Sequence, residues 1–161
     1  MTIKVGDKIP SVTLKQLTPE GPKEITTDEL FRGKKVVLLA VPGAFTPACS
    51  QRHLPGYVDK ATDIRGKGVD EIACVAVNDA FVMGAWGKEQ KTEGKVSMLA
   101  DGSGDFARAL GLELDLTKMG LGIRSKRYSM LVDNGVVKSL NLEQQPGQVD
   151  TSSAETMLKA L

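Results

Sequence analysis

The sequence predicts an α/β fold, a central mixed β-sheet flanked by helices, on three observations. Residues 36–41 (VVLLAV) and 71–77 (EIACVAV) are apolar, β-branched runs of the kind that make strands buried on both faces. A helical pattern fills the roughly thirty residues between them, which makes a βαβ unit with parallel strands and a right-handed crossover. Residues 128–132 and 136–142 flank Asp133-Asn134-Gly135, a strong hairpin signal that adds antiparallel strands.

Taken in order, the chain opens with Gly6-Asp7 and Pro10, then alternates at Val12 and Leu14 with polar neighbours, the pattern of a short edge strand. Thr18-Pro19-Glu20-Gly21-Pro22 is a turn by composition, and residues 24–26 return as a strand. Thr27-Asp28-Glu29-Leu30-Phe31 reads as a capped helical turn stopped by Gly33. After the first buried strand, Pro42-Gly43 ends the ladder, because proline cannot donate to it and glycine allows a sharp turn. A helix starts at Thr46-Pro47: Thr is a good N-cap, and Pro at the first helical position gives up an N–H that has no partner there. Pro55-Gly56 should kink or interrupt this helix before it resumes through Tyr57, Val58, Ala61 and Ile64 and ends at Gly66 or Gly68.

Past the second buried strand, Asn78-Asp79 can cap a helix to which Phe81, Val82, Ala85 and Trp86 give an apolar face. Residues 96–100 form another strand, Asp101-Gly102-Ser103-Gly104 a turn, and residues 105–110 a short helix closed by Gly111. Ser152 or Ser153 caps a C-terminal helix with Ala154, Met157, Leu158 and Leu161 on its inner face. A βαβ unit, a hairpin and a terminal helix make a sheet of thioredoxin-like order, at this point an analogy of fold alone.

The 161 residues hold no repeat, low-complexity run or linker, so residues 1–161 read as a single domain large enough to bury a core. Lys and Arg number 21 against 20 Asp and Glu, and the net charge of +1 gives no reason to expect nucleic acid or an anionic membrane as partner. Arg124-Ser125-Lys126-Arg127 is the one local basic cluster. No apolar run approaches the ~20 residues of a membrane span, and the N-terminus lacks the apolar core of a secretory signal. Two cysteines, Cys49 and Cys74, and the single His53 are too few for a disulfide framework or a four-ligand zinc site. A reducing compartment with one or two working thiols follows, cytoplasmic or, with a transit peptide removed, organellar.

Cys49 falls third in the Thr46-Pro47 helix, in its first turn. There the free N–H groups and the helix dipole favour negative charge, which biases a thiol towards thiolate. A cysteine at the mouth of a buried strand, turn and helix has the placement of a nucleophile.

Pro42-Gly43-Ala44-Phe45-Thr46-Pro47-Ala48-Cys49 matches the Pro-x-x-x-Thr-x-x-Cys signature of peroxiredoxins, and its full wording resembles the type II (peroxiredoxin-5-like, plant-type) branch. His53-Leu54-Pro55-Gly56, Val77-Asn78-Asp79-Ala80-Phe81-Val82, Ala85-Trp86-Gly87 and Gly120-Leu121-Gly122-Ile123-Arg124-Ser125-Lys126-Arg127-Tyr128 are similar to the same group, so the resemblance covers essentially the whole chain. It implies a homodimeric thiol peroxidase of thioredoxin-like fold that reduces hydrogen peroxide and alkyl hydroperoxides without metal, haem or flavin. Cys49 would be the peroxidatic nucleophile, oxidised to a sulfenic acid as the O–O bond breaks. A first-turn dipole is worth only about 0.3–1 kcal/mol, so a cation is needed as well, and Arg127 best matches the family's catalytic arginine. Its guanidinium stays charged and suits both thiolate and developing oxyanion. The Thr46 hydroxyl would cap the helix and hydrogen-bond the sulfur or the peroxide, and Pro42 matches the proline that shields the cysteine from water. Arg124, on the same loop as Arg127, is the weaker candidate.

Cys74, between Ala73 and Val75 in mid-strand, reads first as a buried core residue. Some type II members have a second thiol at this spacing, but a direct bond to Cys49 needs Cα atoms within ~7 Å and an unwound helix. Other members carry a resolving cysteine near the C-terminus, where residues 149–153 hold none. An outside thiol is therefore expected to resolve the sulfenate: glutathione or a glutaredoxin, with thioredoxin second. His53, four residues past Cys49, is expected to be structural or near a dimer face. A protease-type dyad is the poorer reading, since its histidine comes from a distant segment. The rival to the enzyme is a non-catalytic thioredoxin-fold redox sensor that passes oxidation to partners.

Overall fold

The structure, a computed structural model, describes residues 2–161. The chain runs β1 (Thr13–Thr18), β2 (Gly21–Thr26), α1 (Thr27–Phe31), β3 (Lys35–Ala40), a π turn (Cys49–His53), α2 (Leu54–Asp59), α3 (Ala61–Arg65), β4 (Glu71–Ala76) and α4 (Ala80–Glu89). It continues with β5 (Ser97–Ala100), α5 (Asp105–Leu110), β6 (Glu113–Leu116), a 3-10 turn (Thr117–Met119), β7 (Gly122–Ser125), β8 (Tyr128–Asp133), β9 (Val136–Leu142) and α6 (Ala154–Ala160).

Seven strands form one sheet in the order β2-β1-β5-β4-β3-β8-β9. The two buried runs are parallel neighbours at its centre, Val36 opposite Glu71 through Ala40 opposite Val75. β5 extends the parallel part beyond β4, while β8 pairs antiparallel with β3, so the sheet is mixed as predicted. Alternation of side chains along these strands splits the core into two layers. Val37, Leu39, Ile72 and Cys74 face Leu54, Tyr57, Trp86 and Met157, and Cys49 lies in this layer. Val36, Leu38, Ala73 and Val75 face Leu30, Phe31, Phe106 and Leu110 on the other side. A one-residue slip of β3 would exchange the layers; both are buried, so the cost is misfitted packing and not lost burial.

Two expectations need correction, and one element has no counterpart in the prediction. The first strand is not an edge: β1 lies between β2 and β5, and the edges are β2 and β9. Alternation reports that one face is buried, as Leu14 is, and is silent on the number of neighbours. The inner face of α4 is Ala80, Met83, Trp86 and Gly87, whereas Phe81 is 64% exposed. The helix is turned so that its glycines meet the sheet. A Cβ on Gly84 would collide with Leu17 Cδ2, and one on Gly87 would stand 2.7 Å from Met98 Cγ. Glycine marks close approach yet scores nothing in an apolar pattern. Finally, β6 and β7 form a separate antiparallel ribbon that the sequence did not suggest, and it feeds the chain into β8. No helix among the described residues is long and apolar enough to cross a membrane.

Candidate active site

The site begins where β3 stops. Val41 N still donates to Val75 O at 3.2 Å, and buried Pro42, with no N–H to give, ends the ladder. Ala44 N donates to Asn78 Oδ1 at 2.9 Å, which fastens the following loop to the end of β4. Asn78 is thus used up on the loop, and Asp79 alone caps α4, accepting from Val82 N at 2.8 Å. Arg124 braces the same loop. It donates to Leu121 O (2.7 Å) and Val77 O (3.3 Å), and a Cβ on Gly43 would lie 3.1 Å from its Nη1. Arg124 therefore supports the loop and makes no hydrogen bond to Cys49.

The helix starts at Pro47, where Thr46-Pro47 predicts it. It then widens at once into the π turn, in which Leu54 N donates to Cys49 O. Pro55 is the physical cause: it has no N–H, and its ring would collide with the carbonyl four residues back in an α-helix. A π turn re-registers the ladder around that defect. The interruption predicted at Pro55-Gly56 thus lies one turn earlier, and a second break falls at Lys60. From α4, Trp86 Nε1 donates to Ser50 Oγ (2.9 Å) and Gln90 Nε2 to Ser50 O (3.2 Å), holding the turn from the side.

Cys49 is fully buried, and two donors converge on its Sγ: Thr46 Oγ1 at 2.9 Å and Arg127 Nη2 at 3.1 Å. Thr46 departs from expectation in one respect. Its hydroxyl is turned to Gly43 O (2.6 Å) and to the sulfur, so its side chain caps no N–H of the first turn. Its one proton serves one of those acceptors at a time. Arg127, next to the start of β8, is 2% exposed and also donates to Pro146 O (3.0 Å) and His53 Nδ1 (2.9 Å). A buried cation requires countercharge. Arg127 has no ion pair among the described residues, and of the three groups it donates to, Cys49 alone can become an anion.

His53 is part of this cluster, which its spacing from Cys49 allowed but did not require. Burial first, and then the charge of Arg127, lower its pKa to about 3, so the ring is neutral. A guanidinium has no acceptor, so Nδ1 must accept, and the ring proton lies on Nε2, which donates to Ser152 O at 3.1 Å. Tyr57 Oη donates to the same carbonyl at 2.7 Å. Ser152 in turn hangs on Glu143, whose Oε2 accepts from Ser152 N (2.8 Å), Ser152 Oγ (2.6 Å) and Asp150 N (2.7 Å). Burial opposes the charge on Glu143, but these donors outweigh it and hold the carboxyl below its ordinary range. Nothing local in the sequence marks Glu143, and Ser152 is marked only as a possible cap of α6, a role that Ser153 fills.

Cys74 lies in mid-β4 opposite Leu39, in the same apolar layer as Cys49 and fully buried. Burial, and then the nearness of Cys49, push its thiol well up, so it is a protonated core residue in this state.

Known proteins resemble this chain along nearly its whole length. The Redoxin family model matches residues 4–158. Peroxiredoxin-2E, chloroplastic, of Arabidopsis thaliana is 55% identical over 164 residues, covering 99% of this chain and 70% of that protein. Reduced Prx3 of Vibrio vulnificus in complex with H2O2 has a TM-score of 0.94 at 55% identity, with 99% of each chain covered. Peroxiredoxin 5 of Alvinella pompejana has a TM-score of 0.87 at 41% identity, covering 98% of this chain and 97% of that one. Matches of this extent favour an enzyme over a non-catalytic sensor: the chain belongs to the Redoxin family, as a type II peroxiredoxin and hence a thiol peroxidase.

Proposed function

We propose that Cys49 is the nucleophile of this peroxidase, with Arg127, Thr46 and Pro42 completing its catalytic site. The observation that carries the reading is the convergence of Arg127 Nη2 and Thr46 Oγ1 on Cys49 Sγ, at 3.1 and 2.9 Å. Donors so placed stabilise the thiolate, and as the sulfur gives up its charge they face the oxygens that gain it. The thiolate attacks the terminal oxygen of ROOH and the O–O bond breaks. RO⁻ leaves and takes a proton to become ROH, and Cys49 remains as a sulfenic acid. Pro42 keeps water from the sulfur during this step. Hydrogen peroxide and alkyl hydroperoxides are the substrates.

An external thiol then condenses with the sulfenic acid, releasing water, and a second thiol attacks the mixed disulfide to return Cys49. Burial of Cys74 supports an outside reductant, glutathione with glutaredoxin first and thioredoxin second. Exposed Phe45, Phe81, Met119 and Ile123 support a homodimer that covers apolar loops. Two free cysteines support a reducing location, the cytoplasm before an organelle.

Peroxide consumption with glutathione and glutaredoxin, beside a Cys49→Ser control, tests the assignment. Catalytic turnover by the native protein and none by the control is expected. Activity in the control would remove Cys49 as nucleophile, and oxidation that stops after one equivalent would restore the sensor.

A further inference from the structure

We propose that His53 is a positioning residue for this reaction: a neutral acceptor that holds the Arg127 guanidinium on the Cys49 sulfur. The proposal rests on the roles given above to Cys49 and Arg127.

The argument is geometric. A guanidinium is a rigid plane with donors in fixed directions. Arg127 Nε is held by Pro146 O and Nη1 by His53 Nδ1, at 3.0 and 2.9 Å. Two fixed donors determine the plane and leave Nη2 aimed at Sγ. Without the His53 contact the group could swing about the Nε bond, and its aim at the sulfur would be lost.

The choice of acceptor follows from charge. A carboxylate at this position would pair with Arg127 and weaken its field at the sulfur, whereas a cation would repel it. A neutral imidazole accepts a hydrogen bond and leaves the positive charge intact. It must also present Nδ1 without a proton, and the Ser152 carbonyl, by taking the Nε2 proton, selects that tautomer. Tyr57 and Glu143 hold Ser152 in place, so the segment after β9 forms the outer support of a hydrogen-bonded chain that ends on sulfur.

A pair of substitutions separates positioning from scaffolding. His53→Asn keeps an acceptor at the Nδ1 position and loses the reach to Ser152. His53→Gln keeps a donor for Ser152 and leaves Arg127 Nη1 unpaired. We measure the second-order rate constant for oxidation of Cys49 by hydrogen peroxide in each variant, with thermal unfolding as a check on folding. His53→Asn should stay within about threefold of the native rate, while His53→Gln should fall by roughly tenfold to a hundredfold. Placed in an Arg127→Ala protein, His53→Gln should change nothing further. The reverse order, Gln fast and Asn slow, or equal rates for both, would overturn the proposal. So would a loss of the same factor in the Arg127→Ala background. An Arg127→Ala protein that oxidises at the native rate would instead sink the catalytic reading of Arg127, a failure distinguishable from a failure at His53 alone.

Discussion

Arg127 Nη2 meets Cys49 Sγ at 3.1 Å across 78 residues of chain. The pairing places an uncompensated guanidinium against the one ionisable group it touches that can balance it. Removing one preorganised donor of this kind costs about 10²–10³ in rate in other enzymes. Arg127→Ala should therefore slow Cys49 oxidation by about that factor, measured by rapid quenching and mass spectrometry, while the protein remains folded.

Thr46 offers a finer test, because valine has nearly its shape. Thr46→Val deletes the hydroxyl that lies 2.9 Å from the sulfur, and Thr46→Ser restores it. The valine protein should oxidise about tenfold or more slowly, and the serine protein close to the native rate. The side chain caps no N–H of the helix but donates to Gly43 O at 2.6 Å, so the valine change should cost about 0.5–1.5 kcal/mol of stability, which serine should restore.

Cys74 should be dispensable. Peroxide turnover by Cys74→Ala with glutathione and glutaredoxin is expected to match the native protein. Peptide mass spectrometry after peroxide treatment should find Cys49 oxidised or joined to the added thiol. An intramolecular Cys49–Cys74 bond would show that the helix opens far enough to deliver the sulfur to the core.

Acid should weaken the fold through His53. Its pKa is about 3 in the native state against 6.5 for an unperturbed histidine, so between those values the unfolded chain binds a proton that the native one does not. Stability from this group is complete above pH 6.5 and declines as pH falls, by up to about 1.4 kcal/mol per unit, until about pH 3. Asp101, raised chiefly by burial, acts in the opposite sense, so the comparison must be with a variant. Urea unfolding between pH 5 and 7 should show a slope that His53→Asn flattens.

Glu143 supports the site from outside it. Glu143→Ala leaves buried Ser152 N and Oγ without their acceptor, which should cost about 1–3 kcal/mol and lower the melting temperature. Glu143→Gln keeps the acceptor oxygen without the charge and should lose less.

The parts legible in the sequence are those written in consecutive residues. The apolar runs of β3 and β4, the Asp-Asn-Gly hairpin and the Thr46-Pro47 helix start each state their conformation locally, and the parallel pairing follows from chain connectivity. Cys49, Thr46 and Pro42 lie within one short stretch, and Arg127 was recognisable from its family context. What was not legible depends on distant pairing. Ser152 lies 99 residues from His53 and its carbonyl carries no side-chain signature, so nothing nearby announces that the two meet. The burial of Arg127 and the tilt of α4 are likewise settled by neighbours from elsewhere in the chain.

The π turn makes the site depend on length as well as on residue identity. Such a turn encloses one residue more than an α turn, so residues 47–59 behave as a helix with an insertion. Deleting exposed Gln51 would remove no group that touches the sulfur. Yet with the extra residue gone the turn would close to α register, Cys49 still in phase with Tyr57, and the Pro55 ring would collide with the carbonyl four residues before it. Every named side chain would survive, and the fault would lie in the backbone beneath the sulfur.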